Sequence, residues 1–345
     1  MIPIQNIYYM LSYAFQVLNE QGYKNIATEQ FHNTAELMAA ILEKGIAIQL
    51  KRGLGKEYIP QTEALSSLRG KIDIAESIKT QSMLRKQLIC TYDEFSVNSI
   101  MNQIIKSTVE LLLRSNISKQ RKKNLRKLMV YFSEVDFIDS YTVNWNVQYN
   151  RNNQTYRMLI SICYLVVKGL LQTQSNGHTK LMDFLDEQRM CRLYEKFILE
   201  YYRKEFKNQI TANASQIPWQ LDNEENSMLP VMQSDIMLQS GEKVLIIDAK
   251  YYEHSTQVQF DKHTLHSGNL YQIFTYVKNK EYELREKNHT VSGMLLYAKT
   301  DEEIYPNNVY QMSGNQITVR TLDLNLPFDE IAGQLNTIAK THFDL

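Results

Sequence analysis

Apolar residues near the start of the chain fall at helical spacing. Ile7, Met10, Leu11, Ala14, Phe15 and Leu18 share one stripe and predict an amphipathic helix over 6–18. A second helix is expected over 34–44, closed by Gly45. From 46 to 72 the pattern turns strand-like, and Gly53, Gly55, Pro60 and Gly70 punctuate it into hairpins and a projecting loop. Helical patterning returns over 96–132 and 156–171. The polar stretch Gln172-Thr173-Gln174-Ser175-Asn176-Gly177-His178 is the expected domain boundary, giving units 1–175 and 176–345. Beyond it Met190, Leu193, Tyr194, Phe197, Ile198 and Tyr201 predict a helix, followed by two short strands around 233–250. A further helix over 269–277 and a buried strand over 292–297 complete a mixed α/β (α+β) pattern.

The two short strands carry the candidate chemistry. Gln233-Ser234-Asp235-Ile236 and Val244-Leu245-Ile246-Ile247-Asp248-Ala249-Lys250 flank the turn-like Gln239-Ser240-Gly241-Glu242, so an antiparallel hairpin is the simplest arrangement. Side chains alternate along a strand, so Asp248 and Lys250 share a face while Ile247 and Ala249 point to the opposite layer. With the turn centred at Ser240-Gly241, Asp235 is expected opposite Ile246 and diagonal to Asp248. Diagonal neighbours lie about 7–8 Å apart, within reach of one hard cation with oxygen ligands at roughly 2.1 Å. Two carboxylates on a half-buried strand pair need positive compensation. Lys250 supplies part of it, and a divalent ion such as Mg²⁺ would supply the rest while activating a water. The alternative is a solvated hairpin with an ordinary surface ion pair, against which the apolar run Val244–Ile247 argues for an interior strand.

Composition narrows the functional classes. A chain of 345 residues is long enough for two cores. With 38 basic and 38 acidic residues there is no global field for nucleic acid, so any such charge must be local. The clearest local excess holds Arg114, Lys119, Arg121, Lys122, Lys123, Arg126 and Lys127 with no acid between them, either a solvated helix surface or a phosphate-contacting patch. Cys90, Cys163 and Cys191 form no C-x-x-C pair, which argues against disulfides and thiolate zinc sites and for a reducing cytoplasm. The longest apolar run, 158–167, is too short for a bilayer, and no secretory pattern opens the chain, so a soluble protein is expected with no membrane partner. No P-loop pattern occurs: Gly55-Lys56 and Gly70-Lys71 are followed by Glu57 and Ile72. His254, His263 and His266 lie on a polar loop at spacings that favour surface or phosphate contacts over a zinc triad. Gln272 and Tyr276, four residues apart, share one helix face and can both address the site.

Asp235, then Asp248-x-Lys250, then a helix with Gln272-x-x-x-Tyr276, resembles the PD-(D/E)xK nuclease superfamily and its Q-x-x-x-Y branch, with Ser234 where the first-strand proline is usual. The opening Ile2-Pro3-Ile4-Gln5-Asn6-Ile7-Tyr8-Tyr9-Met10-Leu11-Ser12-Tyr13-Ala14 is similar to that of the McrC family, the nuclease subunits of McrBC modification-dependent restriction systems. So are Arg52-Gly53-Leu54, Tyr58-x-Pro60-x-Thr62-Glu63, Arg69-Gly70-Lys71-Ile72, Asn102-Gln103-Ile104-Ile105-Lys106-Ser107-Thr108, Ile247-Asp248-Ala249-Lys250-Tyr251-Tyr252 and Asn269-Leu270-Tyr271-Gln272.

The resemblance implies an N-terminal mixed domain with a projecting β-hairpin region and a C-terminal restriction-endonuclease-like domain. It implies a partner of the McrB type, a hexameric AAA+ motor that binds the GTP, recognises methylated double-stranded DNA and is stimulated by this chain. It assigns Mg²⁺ to Asp235, Asp248 and the Ala249 carbonyl, with Glu195 as an extra helix acid, and the reaction to Asp235, Asp248, Lys250, Gln272 and Tyr276. The glycine-rich segment with Arg52, Tyr58 and Arg69 would probe the partner. Two other readings stay open: an autonomous exonuclease-like repair module, and a non-catalytic GTPase-activating adaptor.

Overall fold

The computed structural model describes the chain apart from Met1, most of 16–30, and residues 140–141, 151–152, 154, 176–186, 223–227, 253–256, 260–261 and 300–304. The side chains of 168–175, 187–189, 257–259 and 262–263 are likewise outside the description. Two compact units emerge, one of Met1–Gln30 with Leu185–Leu345 and one of Phe31–Phe184. The expected break after 175 therefore shifts to 184, and the first 30 residues leave the N-terminal half. Long-range packing is the cause. Helix α1, Ile4–Ala14, stacks Tyr9 on Phe328 at 4.4 Å and sets Tyr13 against Tyr201 at 5.2 Å. Asn6 Nδ2 donates to the Leu324 and Leu326 carbonyls, each at 2.8 Å.

In the unit 31–184, α2 spans Thr34–Arg52, with Asn33 accepting the Glu36 N–H at its start. The helix runs through Gly45, which is buried inside it, and stops at Gly53, whose φ of 90° ends the helical path. The expected stop at Gly45 is thus corrected, and Arg52 is the last helical residue rather than part of a strand. Strands β1 (Glu57–Leu65), β2 (Lys71–Asp73) and β3 (Leu88–Ser96), with α3 (Ile74–Lys79) between the last two, form an antiparallel sheet in the order β1-β3-β2. Helices α4 (Ile100–Arg114), α5 (Lys119–Met129) and α6 (Tyr156–Ser175) follow. Tyr156 ties this unit together: its hydroxyl donates to Asn102 Oδ1 at 2.8 Å and accepts the Gly55 N–H at 2.7 Å.

The other unit continues with α7 (Glu187–Glu205), β4 (Thr211–Asn213), β5 (Gln216–Ile217), β6 (Met232–Gln233), β7 (Ile236–Ser240) and β8 (Lys243–Lys250). Then come β9 (Gln257–Gln259), β10 (Lys262–Thr264), α8 (Ser267–Glu283), β11 (Thr290–Ala298), β12 (Asn308–Met312), β13 (Asn315–Leu322) and α9 (Phe328–Phe343). Six of these strands make a mixed sheet in the order β12-β13-β11-β8-β7-β4, with β8, β11 and β13 mutually parallel. Strand β8 is interior and Val244 through Ala249 are buried without a break, as expected of a strand covered on both faces. Helix α8 lies close on the sheet because β11 has Gly293 beneath it. A Cβ there would come within 2.8 Å of Ile273 and Ile317 side-chain carbons. Among the described residues no helix is long and apolar enough to cross a membrane.

Candidate functional site

The hairpin β7–β8 turns on Gly241-Glu242, with Ser240 paired to Lys243 and Gly241 at φ 57°. Ile236 pairs with Ile247, so one further step sets Asp235 level with Asp248 rather than diagonal to it. The expected turn centre was one residue too early, which displaced the register by two. The ladder stops at Ile236 for a local reason: the Ala249 N–H that would extend it donates instead to Asp235 Oδ2 at 2.9 Å. Ser234, buried at the position before Asp235, makes its own bonds to Ser215 and so leaves the main β7–β8 pairing.

On the α8 face of β8, Asp248 is 1% exposed and Lys250 extends beside it. Lys250 Nζ lies 2.9 Å from both Asp248 oxygens, but only Oδ1 is in line for a hydrogen bond. Asp248 Oδ2 is buried with no hydrogen-bond partner. The lysine also donates to Gln272 Oε1 at 3.4 Å, and Gln272 Nε2 donates to the Tyr276 hydroxyl at 2.9 Å. Thus five of the residues singled out from sequence, Asp235, Asp248, Lys250, Gln272 and Tyr276, fall on one connected path across β7, β8 and α8.

Burial dominates the electrostatics. It raises the Asp235 carboxyl above the ordinary value, against the opposing pull of Lys250 and the Ala249 N–H. Burial pushes Asp248 up to about 7, with Asp235 adding to the shift and Lys250 resisting it. For Lys250 burial works against the charge, yet the Asp248 carboxylate beside it prevails and holds its pKa above the usual lysine range. Two acids against one ammonium leave an excess of negative charge once both ionise.

Glu195 on α7 is raised first by burial and then by Asp235, which places its charge in the same field. It accepts from Cys191 Sγ at 3.1 Å, and that sulfur lies 3.9 Å from the Ala249 carbonyl oxygen. Among the described residues no group of three or more His, Cys, Asp or Glu side chains is set to hold a metal ion. A cation would therefore rest on the paired aspartates and main-chain oxygen, with Glu195 outside the immediate set. The Asp248 Oδ2 that makes no hydrogen bond, the level pair of carboxylates and their all-oxygen donor chemistry fit a hard divalent ion.

Two further contributors, both named in the sequence, had no role at the site assigned from it. Cys191 sits one helical turn before Glu195, a spacing that could have flagged it. Asn269, three residues before Gln272, donates to the Tyr297 hydroxyl at 3.0 Å and accepts from the Tyr252 hydroxyl at 3.3 Å, bracing the start of α8 against the sheet. Of the histidines, His254 and the side chain of His263 lie outside the described residues, and the His266 ring stands 5.3 Å from that of Tyr252.

The residues expected to meet a partner belong to the other unit. Arg52 is exposed at the end of α2, and Tyr58 is 71% exposed with its ring 5.0 Å from that of Phe95 on the neighbouring strand. Arg69 lies 4.0 Å over the Tyr92 ring. In the basic stretch, Arg121 is drawn inward to Glu36 and Glu43, at 3.3 and 2.9 Å, and Arg114 pairs with Glu110 on its own helix.

One mixed α/β unit thus gathers a buried carboxylate pair, a lysine and a glutamine–tyrosine helix. Residues 5–298 match the family described as McrBC 5-methylcytosine restriction system component. The chain is 30% identical over 332 residues, 94% of its length and 93% of the relative's, to the type IV methyl-directed restriction enzyme EcoKMcrBC of Escherichia coli strain K12. Two solved structures are also similar. The half-complex of Thermococcus gammatolerans McrB AAA+ hexamers with bound McrC matches at TM-score 0.49 and 17% identity over 97% of this chain and 76% of that one. The Thermococcus gammatolerans McrBC complex matches at TM-score 0.42 and 20% identity over 59% of each. The chain belongs to the McrBC 5-methylcytosine restriction-system component family.

Proposed function

We propose that this chain is the nuclease component of a modification-dependent restriction complex, hydrolysing DNA phosphodiester bonds when assembled with a GTP-driven AAA+ hexamer of the McrB type. The observation that carries the reading is the buried pair of carboxylates, Asp248 and Asp235, held against the single ammonium of Lys250, with Asp248 Oδ2 making no hydrogen bond. Two buried acids facing one cation leave a negative charge that a hydrolytic metal centre would use. The family description supplies the modified base, and the relative in Escherichia coli is described as methyl-directed.

In this reading Asp235, Asp248 and the Ala249 carbonyl hold Mg²⁺, with Glu195 near enough to join through its charge. When bound, the ion supplies polarisation of the scissile phosphate and a lower pKa for a coordinated water. The chain's own groups do the rest. Lys250 keeps its proton because Asp248 is beside it, so it presents a fixed positive charge to the phosphoryl oxygens as negative charge builds there. Gln272 and Tyr276 are positioning residues: Gln272 accepts from Lys250 while being held by Tyr276, which restricts where the ammonium can swing. The Ala249 N–H fixes the orientation of Asp235.

The other unit would dock on the motor and stimulate its GTPase through the surface that carries Arg52, Tyr58 and Arg69. The lack of a P-loop pattern in this chain accords with GTP being held by the partner. A cytoplasmic setting follows from that role. Replacing Lys250 or Asp248 with Ala tests the site: cleavage of methylated DNA with partner and GTP should fall by roughly 10²- to 10³-fold, and undiminished cutting would remove the assignment.

A further inference from the structure

The charged side chains of α5 divide sharply between the inside and the outside of their unit. Leu125 is fully buried, Arg121 is spent on Glu36 and Glu43, and Asn124 donates to Glu43 at 2.9 Å, so one side of the helix is anchored to α2. Lys119, Lys122, Lys123, Arg126 and Lys127 lie on the other side. At 3.6 residues per turn they fall within an arc of about 140°. Four of them are exposed and Lys122 is half-buried. Among the described residues none of these five side chains has a hydrogen-bond, ion-pair or ring partner.

Lys119–Lys123, Lys122–Arg126 and Lys123–Lys127 are each spaced i,i+4, a like-charge arrangement that destabilises a helix. The acids on the packing neighbours are already taken: Glu36 and Glu43 by Arg121, and Glu110 by Arg114. No other residue of α5 falls within that arc, and the exposed Val130 follows one turn after Arg126 on the same side, where the helix ends. A protein interface would centre on buried apolar side chains, whereas a phosphate backbone asks for a row of cations and nothing else.

We infer that the outer face of α5 is a DNA-backbone surface, separate from the cleavage site, which grips duplex phosphates without reading sequence. The inference rests on the proposed nuclease role only in naming DNA as the polyanion. A chain with balanced total charge would in this way concentrate its affinity for DNA on one helix.

The test uses the full chain in EDTA, so that binding is read without cutting. A short unmethylated duplex is titrated by fluorescence anisotropy across salt concentrations. Each phosphate neutralised contributes about 0.9 to the log–log salt slope, so four engaged cations correspond to a slope of about 3.6 and an affinity loss of about 10²-fold between roughly 50 and 200 mM salt. The variant K119Q/K122Q/K123Q/R126Q/K127Q should lose that much of the slope and keep full stimulation of the partner's GTPase. The variant K119R/K122R/K123R/K127R keeps every charge and should bind as the parent does. An unchanged slope in the glutamine variant overturns the inference, as does weakened binding in the arginine variant. Reduced GTPase stimulation in the glutamine variant also overturns it and marks the face as a protein dock. If the unaltered chain with its partner and metal fails to cut, the nuclease reading falls while the salt slope stays readable.

Discussion

In the sheet of β1, β3 and β2, large apolar side chains stand in water, whereas in the six-stranded sheet charged side chains stand in the core. Tyr58 is 71% exposed and Phe95 55%, and Leu84, just before β3, reaches 81%. Asp248, by contrast, is 1% exposed and the Lys250 side chain 13%. Each sheet is incomplete in its own direction. Exposed apolar surface gains free energy when another macromolecule covers it, and buried like charges gain when a cation joins them. The two regions therefore point to different classes of ligand.

The largest effect is expected at the buried charges. Asp248→Ala should lower cleavage by roughly 10²- to 10³-fold, the scale seen on removing one preorganised electrostatic group, with GTPase stimulation of the partner intact. Loss of both activities together would merge the two regions and break the contrast. The paired substitution Tyr58→Ala with Phe95→Ala should do the reverse, reducing GTPase stimulation by about 30-fold if the rings form an interface hot spot while leaving thermal stability nearly unchanged. A steep fall in Tm instead would show that the rings support their own sheet.

A third substitution sharpens the contrast within the exposed sheet. Gly70 has φ 69°, and a Cβ there would strike the Thr91 carbonyl oxygen and the Tyr92 backbone. Gly70→Ala should cost about 1–3 kcal/mol locally, read as faster amide exchange in β2 and β3 with β8 unchanged.

The smallest effect is a pH dependence at the site. Asp248 in the folded chain holds its proton up to about 7, against an ordinary value of 3.8. The folded state therefore binds more protons than the unfolded one between those values, and this group's contribution to stability, complete below the lower value, is lost as pH rises through the upper. A divalent ion competes for the same oxygens, so added Mg²⁺ should raise Tm by a few degrees near pH 8 and by much less near pH 5. Equal rises at both would show that the ion binds elsewhere.

Much of the site was legible because its signals are local. The apolar run 244–247 announced an interior strand, alternation placed Asp248 with Lys250, and a spacing of four placed Gln272 with Tyr276. The register was misplaced because Ser240, Gly241 and Glu242 all suit a turn, and only backbone pairing decides which two form it. Gly45 looked like a helix stop, but burial within α2 outweighed its poor propensity. The membership of α1 was out of reach for a different reason. Its partners Leu324, Leu326 and Phe328 lie more than 300 residues away, and no periodicity within the helix encodes them.

Gly293 carries no charge and touches nothing that reacts, yet it sets the clearance between α8 and the strands beneath it. That clearance is what lets an amide on the helix meet an ammonium on the sheet. Any side chain at this point would act as a shim, tilting the helix off its bed and slackening the tether on Lys250. The chemistry of the centre is thus calibrated by an atom that is missing.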